Sequence, residues 1–295
     1  MPWLELSLIV AAAQQSEIET ALDDVGALSV TLLDAEDHPI FEPGPGETPL
    51  WPQIAMSALF DEGTDRVGLV HALTELVPDL APERIGFRHV EDQDWTRVWM
   101  DQFQPMRFGR RLWIYPWTIE PPGDDPDAVV VRLDPGLAFG TGTHPTTALC
   151  LEWLDSIDLA GKTVIDYGCG SGVLAIAALK LGAAHVVGVD NDPQALEASR
   201  ANAERNGVAG ELELVMPDGF ADRAADVLVA NILAGPLGDL APRFAACVAP
   251  DGVMALSGIL MGQHQELCVR YATWFDSLST AFREDWARIS GRRMS

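Results

Sequence analysis

The segment Val164-Ile165-Asp166-Tyr167-Gly168-Cys169-Gly170-Ser171-Gly172-Val173-Leu174 decides the fold. Its apolar start, residues 163–166, is typical of a buried strand, which leads into glycines at every second position and then into an Ala- and Leu-rich helix. Glycine lets the backbone approach a ligand closely and adopt positive φ, and a helix N-terminus offers unpaired amide groups. The segment therefore predicts a strand, loop and helix that bind a ligand.

The spacing of these glycines narrows the kind of ligand. The dinucleotide fingerprint places its third glycine three positions after the second, whereas Gly172 follows Gly170 by two. A carboxylate at Asp166, just before the loop, suits a cationic amino-acid head group better than a pyrophosphate. A nicotinamide-dependent oxidoreductase stays an alternative, because such enzymes share the strand, the glycine loop and an acidic residue on the next strand.

That acidic residue ends the next predicted strand, in Val186-Val187-Gly188-Val189-Asp190. A carboxylate there can accept hydrogen bonds from both hydroxyls of a ribose, and bonds to charged groups contribute about 1.5–3 kcal/mol each. We therefore predict that Asp190 binds a ribose. Asp192 has a different interpretation, because Pro193 follows it and the pair is typical of a helix N-cap and first turn.

Two further polar residues follow predicted strands. Asp218 comes after the third strand, where a polar group would meet an adenine amine, and Asn231 comes after the fourth. In open α/β sheets, ligands bind at the carboxyl ends of strands near the point where the strand order reverses. Asp166, Asp190, Asp218 and Asn231 all fall at such ends, so the sequence predicts that they share one site.

A segment rich in glycine and threonine precedes the sheet, Phe139-Gly140-Thr141-Gly142-Thr143-His144-Pro145-Thr146-Thr147. It lacks the Gly-Lys-Ser/Thr ending of a P-loop, which argues against a triphosphate ligand. Thr143 or Thr146 is suited to cap the following helix. For His144, a packed or orienting role is favoured over that of a general base.

The pattern after Val129 is that of a parallel α/β sheet, in which short apolar strands alternate with helices. The strands are predicted near 129–134, 163–167, 185–190, 211–216, 225–230 and 251–258. The helices are predicted near 145–156, 172–182, 193–206, 236–248 and 262–272. We therefore expect a doubly wound sheet in residues 129–295.

The first 92 residues have a different pattern, in which strands and helices follow the order βαββαβ. The strands are predicted over 3–10, 27–33, 54–60 and 85–89, and the helices over 18–25 and 67–77. This order is the ferredoxin-like plan, a frequent scaffold for binding.

Between these two parts lies a connector, residues 93–128, that is rich in aromatic residues. The cluster consists of Trp95, Trp99, Phe103, Phe108, Trp113 and Trp117. Such rings usually pack in a core or between domains, because each buries about 150–250 Å². Contact with a substrate is the alternative. The chain is thus predicted to have a first domain over 1–92, the connector over 93–128 and a second domain over 129–295.

The charge of the chain argues against a nucleic-acid partner. Its 295 residues include 44 acidic and 19 basic side chains, for a formal net charge of −25, and nucleic-acid binders usually carry a basic face. Residues 1–100 hold 19 acids and four bases, so a basic partner is expected at the first domain. The alternative is that the acidity serves solubility alone.

Cysteines and histidines give no sign of a metal centre. The four cysteines are scattered and the six histidines lack metal-ligand spacing, so no metal is expected. The sequence shows neither an apolar run long enough to span a membrane nor a basic leader followed by an apolar one. We expect a cytoplasmic protein with no membrane contact.

Three of these motifs together resemble one family. They are the 139–147 segment, the 166–172 segment and Asn231-Ile232-Leu233-Ala234-Gly235-Pro236. The chain resembles the ribosomal protein L11 methyltransferase family, whose members are class I S-adenosylmethionine-dependent methyltransferases. The similarity extends to Met1-Pro2-Trp3, to Phe41-Glu42-Pro43, to the segment from Trp95 to Phe108 and to the tail Ile289-Ser290-Gly291-Arg292.

The resemblance implies a fold and an activity. It implies a seven-stranded, doubly wound domain that binds S-adenosylmethionine, preceded by a ferredoxin-like α+β domain that grips the substrate protein. The implied reaction is trimethylation of the N-terminal amine and of lysine side chains of ribosomal protein L11, by a monomer. A methyltransferase acting on a small amine and a non-catalytic module that binds the ribosomal protein are the alternatives.

The resemblance also implies site residues. Those that match the cofactor contacts of the family are Thr147, Gly168, Asp190 and Asn231, to which we add Phe139, Asp166, Gly170 and Asp218. Asn231 is also the predicted catalytic residue, because its side-chain oxygen would accept an amine N–H and aim the nitrogen lone pair at the methyl group.

Overall fold

The structure is a computed structural model that describes residues 2–36, 51–91, 104–121, 123, 125–133, 144–221 and 223–295. The chain divides into two compact units, Met1–Trp95 and Thr96–Ser295. The three predicted domains, with boundaries at 92 and 128, remain a prediction. Several residues singled out in the sequence lie outside the described residues, namely Phe41, Trp95, Trp99, Phe103 and Phe139.

The first unit is a four-stranded antiparallel sheet with two helices. In chain order its elements are β1 (Trp3–Ala11), α1 (Gln15–Asp24), β2 (Ser29–Asp34), β3 (Gln53–Asp61), α2 (Arg66–Leu76) and β4 (Gly86–Val90). The strands lie in the order β2-β3-β1-β4, and every pair is antiparallel. This order confirms the predicted ferredoxin-like fold.

Alternation along β1 builds the core of this unit. Leu4, Leu6, Leu8 and Val10 are all buried, because successive side chains of a strand point to opposite faces and these four share one. They belong to the same apolar cluster as Ile18 of α1. The helices therefore cover the face of the sheet that the sequence pattern marks as apolar.

The second unit contains a small sheet that the sequence pattern did not predict. It consists of β5 (Met106–Phe108), β6 (Leu112–Tyr115) and β7 (Val129–Arg132), with β5 antiparallel and β7 parallel to β6. The prediction that the strand near 129–134 belongs to the large parallel sheet is therefore wrong. Hydrophobic periodicity identifies a strand, but it does not specify the neighbour with which that strand pairs.

The large sheet of this unit has seven strands. They are β8 (Thr163–Tyr167), β9 (His185–Val189), β10 (Leu212–Val215), β11 (Ala225–Asn231), β12 (Val248–Leu260), β13 (Phe275–Arg283) and β14 (Trp286–Arg293). Their order is β10-β9-β8-β11-β12-β14-β13, which confirms the predicted seven-stranded, doubly wound sheet. The sheet is mixed, because β14 runs antiparallel to both β12 and β13. The last two strands are absent from the list of predicted strands.

Six helices of this unit flank the sheet. They are α3 (Pro145–Ser156), α4 (Val173–Lys180), α5 (Pro193–Arg205), α6 (Ala234–Asp239), α7 (Ala241–Cys247) and α8 (His264–Tyr271). One prediction needs correction, because the single helix expected over 236–248 is divided into α6 and α7. Pro242 lies in the first turn of α7, where its missing N–H costs nothing, whereas inside a continuous helix it would remove a hydrogen bond.

Two apolar cores cover the faces of the large sheet. Adjacent residues of β8 show the alternation, since Val164 belongs to one core and Ile165 to the other. The strand order reverses between β8 and β11, which lie side by side. This is the position at which an open α/β sheet binds its ligand. Within the described part of the chain, no helix is long and apolar enough to span a bilayer.

Candidate functional site

A cavity of about 710 Å³ lies at the carboxyl ends of the parallel strands, beside the reversal of strand order. Its lining comprises His144, Thr146, Tyr167, Gly168, Val189, Asp190, Asn191, Pro217, Asn231, Ile232, Leu233, Pro236, Leu240, Gly258 and Trp286. A second cavity of about 170 Å³ adjoins it and shares Gly168, Asp190, Asn191, Asn231 and Ile232. Thr147 and Gly170 line the second cavity.

The glycine loop after β8 lines both cavities, because Gly168 borders both of them and Gly170 borders the smaller one. Gly168, Gly170 and Gly172 all have positive φ, at 79°, 53° and 79°. At Gly168 the need for glycine is steric as well, because a Cβ atom there would lie 2.2 Å from Cγ2 of Ile232. The loop therefore reaches the cavity wall with bare backbone, as a close approach to a ligand requires.

Asp190 is held by the loop that it faces. Its Oδ2 accepts the N–H of Gly170 at 2.8 Å, and its Oδ1 accepts the N–H of Asp192 at 3.0 Å. Each carboxylate oxygen has two lone pairs, so each retains one acceptor position. Asp190 can therefore accept two hydrogen bonds from a diol in the cavity.

Asp166 lies in the protein interior. Its side chain is fully buried, and it lines neither cavity. Its Oδ2 accepts the N–H of Ala175 in the first turn of α4 at 3.0 Å, whereas its Oδ1 is buried without a hydrogen-bond partner among the described residues. Burial raises the pKa of Asp166 from 3.8 to about 7; the Ala175 N–H opposes this rise, and the charge of Asp190 adds to it.

Asn231 ends β11 and faces both cavities. Its Nδ2 donates to Oγ1 of Thr147 in α3 at 3.2 Å, which fixes the orientation of the amide. With the NH₂ group turned toward Thr147, the carbonyl Oδ1 is the atom available to accept a hydrogen bond from a ligand. Thr147 is itself buried, so its hydroxyl is a fixed reference point for this amide.

His144 and Trp286 form an aromatic wall of the larger cavity. His144 is the N-cap of α3, and its Nδ1 accepts the N–H of Thr146 at 3.3 Å. Its ring packs edge-on against Trp286, with centroids 4.8 Å apart and planes inclined by 69°. Burial lowers the pKa of His144, while the charge of Glu284 opposes this shift. These contacts fit the packed or orienting role predicted for His144.

The remaining predicted contact residues differ in whether they line the cavities. Asp218 is exposed and does not line either cavity, whereas its neighbour Pro217 does. The structure thus brings Thr147, Gly168, Gly170, Asp190 and Asn231 together, and it places Asp166 behind the loop and Asp218 outside. Phe139 lies outside the described residues. Among the residues that the structure describes, no group of three or more His, Cys, Asp or Glu side chains could hold a metal ion.

Several lining residues were not predicted, and Trp286 is the clearest example. It is the first residue of β14, whose start lies at the carboxyl edge of the parallel strands because β14 runs antiparallel to β12. Buried Ala287 and Ile289 alternate with less buried residues along β14, and this pattern would have identified the strand. Recognising an antiparallel last strand would then have placed its first residue at the site.

A family model, curated relatives and a solved structure all indicate the same protein family for this chain. The family described as ribosomal protein L11 methyltransferase (PrmA) matches residues 2–294. A ribosomal protein L11 methyltransferase of Pseudomonas aeruginosa is 57% identical over 298 residues, covering 99% of each chain. One from Aeromonas salmonicida is 54% identical over 297 residues, also covering 99% of each. A crystal structure of a ribosomal protein L11 methylase from Lactobacillus delbrueckii subsp. bulgaricus has a TM-score of 0.60 at 33% identity, covering 65% of this chain and all of that one.

Proposed function

This chain belongs to the ribosomal protein L11 methyltransferase family, and from that premise we propose that it transfers methyl groups from S-adenosylmethionine to amines of ribosomal protein L11. The observation that carries the proposal is the convergence of Asp190 and Asn231 on one cavity at the reversal of strand order. The first would hold a nucleoside, and the second would hold the amine that receives the methyl group.

The residues at the cavity fit the methyl donor. Asp190 retains one acceptor position on each oxygen, as the two hydroxyls of a ribose require. Val189 and Pro217 line the cavity with apolar surface, which suits an adenine ring. Asp166 lines neither cavity, so we propose that it supports the start of α4 through its hydrogen bond to the N–H of Ala175 and acts on the donor only indirectly.

S-adenosylmethionine supplies an electrophilic methyl group on a positively charged sulfur. The protein has to orient an uncharged amine toward that methyl group, and well-oriented reactions gain about 7–11 kcal/mol in this way. A lysine amine has a pKa near 10.4 in water, so it must lose a proton first, and an apolar cavity favours the uncharged form. Asn231 is the catalytic residue in this proposal, because its Oδ1 accepts an N–H of the amine.

We assign the N-terminal amine and lysine side chains of ribosomal protein L11 as the acceptors, and trimethylated amines as the products. The acidic first domain, residues 1–92, is proposed to bind this lysine-rich partner, since residues 1–100 carry 19 acids and four bases. The reaction is placed in the cytoplasm, and the enzyme is proposed to act as a monomer without metal.

Replacement of Asn231 by Ala tests the catalytic assignment. We expect turnover with recombinant L11 to fall by about 10²-fold or more, because the amine loses its orienting acceptor. Affinity for S-adenosylhomocysteine, measured by calorimetry, should change by less than about tenfold. Thr147→Val is the matched variant, since it keeps the Asn231 side chain but removes the hydroxyl that fixes the amide, and its turnover should lie between those of the wild type and Asn231→Ala.

The readout is the mass of intact L11 after incubation with S-adenosylmethionine. Turnover near the wild-type rate in Asn231→Ala, with cofactor affinity intact, would contradict the role of Asn231. Methylation of free small amines but not of L11 would contradict the proposed substrate. Binding of L11 without any mass increase would indicate the non-catalytic module instead.

A further inference from the structure

The aromatic wall of the larger cavity, formed by His144 and Trp286, is not needed for holding the methyl donor as proposed above. Both residues line the same cavity as Asn231. Their rings pack edge-on at 4.8 Å, and in such an arrangement one ring covers at most one face of the other. Because both residues line the cavity, part of their aromatic surface faces whatever occupies it beside Asn231.

The surroundings of His144 favour the uncharged imidazole. Its Nδ1 accepts the N–H of Thr146, so the lone pair of that nitrogen is engaged in capping α3. Burial acts in the same direction, because it lowers the pKa of His144 against the opposing charge of Glu284. An uncharged ring does not repel a cation, and it supplies a second polarizable surface next to the indole.

The hydrogen bond to Asn231 cannot serve every round of methylation. An uncharged primary amine has two N–H groups and a monomethylamine has one, whereas a dimethylamine has none. The Oδ1 of Asn231 can therefore orient the acceptor in the first and second transfers but not in the third. Among the described residues that line the cavity, Asp190 is the one carboxylate, and two backbone amides already engage it.

We propose that His144 and Trp286 form a subsite for methylated ammonium groups, and that this subsite positions the dimethylamine for the third transfer. In that step the nitrogen lone pair forms the new N–C bond, while the C–S bond of the donor breaks and its electron pair stays on sulfur. Positive charge thus passes from sulfur to a nitrogen that has no N–H to donate. An aromatic face is the surface that stabilises such a quaternary ammonium group.

This inference rests on the proposed function, and its test uses the same assay with a finer readout. The full-length enzyme is incubated with recombinant L11 and S-adenosylmethionine, and the mono-, di- and trimethylated forms are resolved by mass. Trp286→Leu keeps apolar bulk and removes the aromatic face, whereas Trp286→Phe retains one. In Trp286→Leu we expect the third transfer to slow by about tenfold relative to the first, with accumulation of dimethylated product.

Two further variants separate this role from a structural one. His144→Asn keeps a good N-cap for α3 but removes the ring, so it should shift the products toward the dimethylated form as well. Trp113→Leu is the matched control, because Trp113 lies on β6 and lines neither cavity, and its product ratio should equal that of the wild type. Trp286→Phe should still form the trimethylated product.

The possible results distinguish failure of the proposed function from failure of the subsite. If wild-type enzyme leaves L11 unmodified, the proposed function fails. If the wild type trimethylates L11 and Trp286→Leu does so with the same ratio of third to first transfer, the subsite is wrong and the proposed function stands. An equal loss of all three transfers would also overturn the subsite. Should Trp286→Leu not fold, a wild-type product ratio in His144→Asn would overturn it.

Discussion

Gly168→Ala is the most informative single change at the glycine loop. The backbone φ of Gly168 is 79°, a conformation in which an L-residue is less favourable than glycine by roughly 1–2 kcal/mol. Gly161 supplies a matched control, because its φ is 70° and, apart from its chain neighbours, no atom of the described residues lies within 4 Å of where its Cβ would be. The two substitutions share the backbone cost, and they differ only in what the new methyl group meets.

At Gly168 the added methyl group meets the wall of the cavity. Its Cβ would lie 2.2 Å from Cγ2 of Ile232, far inside contact distance, so one of the two segments must move. Overpacking of this kind costs typically about 1–3 kcal/mol. We expect Gly161→Ala to lower the free energy of unfolding by about 1 kcal/mol and Gly168→Ala by about 2–4 kcal/mol. Because Ile232 lines both cavities, Gly168→Ala should also weaken cofactor binding.

Urea denaturation measures the two free energies of unfolding, and calorimetry with S-adenosylhomocysteine measures binding. The double variant Gly168→Ala/Ile232→Ala removes the clashing methyl group and should recover affinity relative to Gly168→Ala alone. Equal destabilisation by Gly168→Ala and Gly161→Ala, with equal affinity for the ligand, would refute the reasoning, since it would mean that the loop is not pressed against Ile232.

Three other substitutions test separate parts of the site and its support. Asp190→Asn retains one acceptor oxygen but turns an NH₂ group toward a backbone N–H, so calorimetry should show S-adenosylhomocysteine affinity reduced by roughly 10- to 100-fold; an unchanged affinity would exclude the ribose role. The pKa of Asp166 is raised from 3.8 to about 7 in the folded state, so ionisation of this group opposes folding. The free energy of unfolding of the wild type therefore decreases as the pH rises toward 7. Asp166→Asn should therefore gain roughly 2–3 kcal/mol relative to the wild type between pH 5 and pH 8 in urea denaturation, and a constant difference across that range would contradict the shift. Asn206→Ala removes the side chain that forms hydrogen bonds of 2.8 Å with both the N–H and the C=O of Arg132. The free energy of unfolding should fall by about 2–3 kcal/mol while ligand affinity stays unchanged. A fall below about 0.5 kcal/mol would show that these bonds do not stabilise the fold.

The sequence predicts the elements of this fold well wherever one face is strongly apolar. The helical spacing of Val67, Val70, Leu73 and Val77 predicts α2, and the structure confirms the helix. The buried face is less well predicted, since Val67 is 80% exposed and Leu69 packs in the core instead. Spacing alone fits either phase of a short helix, and tertiary packing selects between them.

The last hairpin escaped prediction for a physical reason. Strand β13 is an edge strand in which Phe275 is buried and most other residues are exposed, so polar residues such as Ser279 and Thr280 interrupt any alternation. An edge strand pairs on one side only, and its composition is correspondingly less constrained. Strand β13 is therefore defined by its pairing with β14 and not by a pattern of apolar residues in its own sequence.

The site itself was predictable where a strand end specifies the position of a side chain. Gly168 and Asp190 directly follow β8 and β9, and Asn231 ends β11, so their convergence follows from the sheet alone. Asp218 follows a strand as well, but it lies in an exposed turn after β10, the edge strand of the sheet. The position of a residue after a strand thus predicts the edge of the sheet at which it lies, but not its distance from the point of reversal.

The antiparallel course of β14 has a consequence for biosynthesis. Trp286 packs against His144 in one wall of the cavity, although well over a hundred residues separate them in the chain. During translation the glycine loop and the strands around it leave the ribosome long before the tryptophan does. A nascent chain can therefore form most of the cavity lining while Trp286 is still missing from its wall, and the wall is complete only once the final hairpin has been synthesised and has docked.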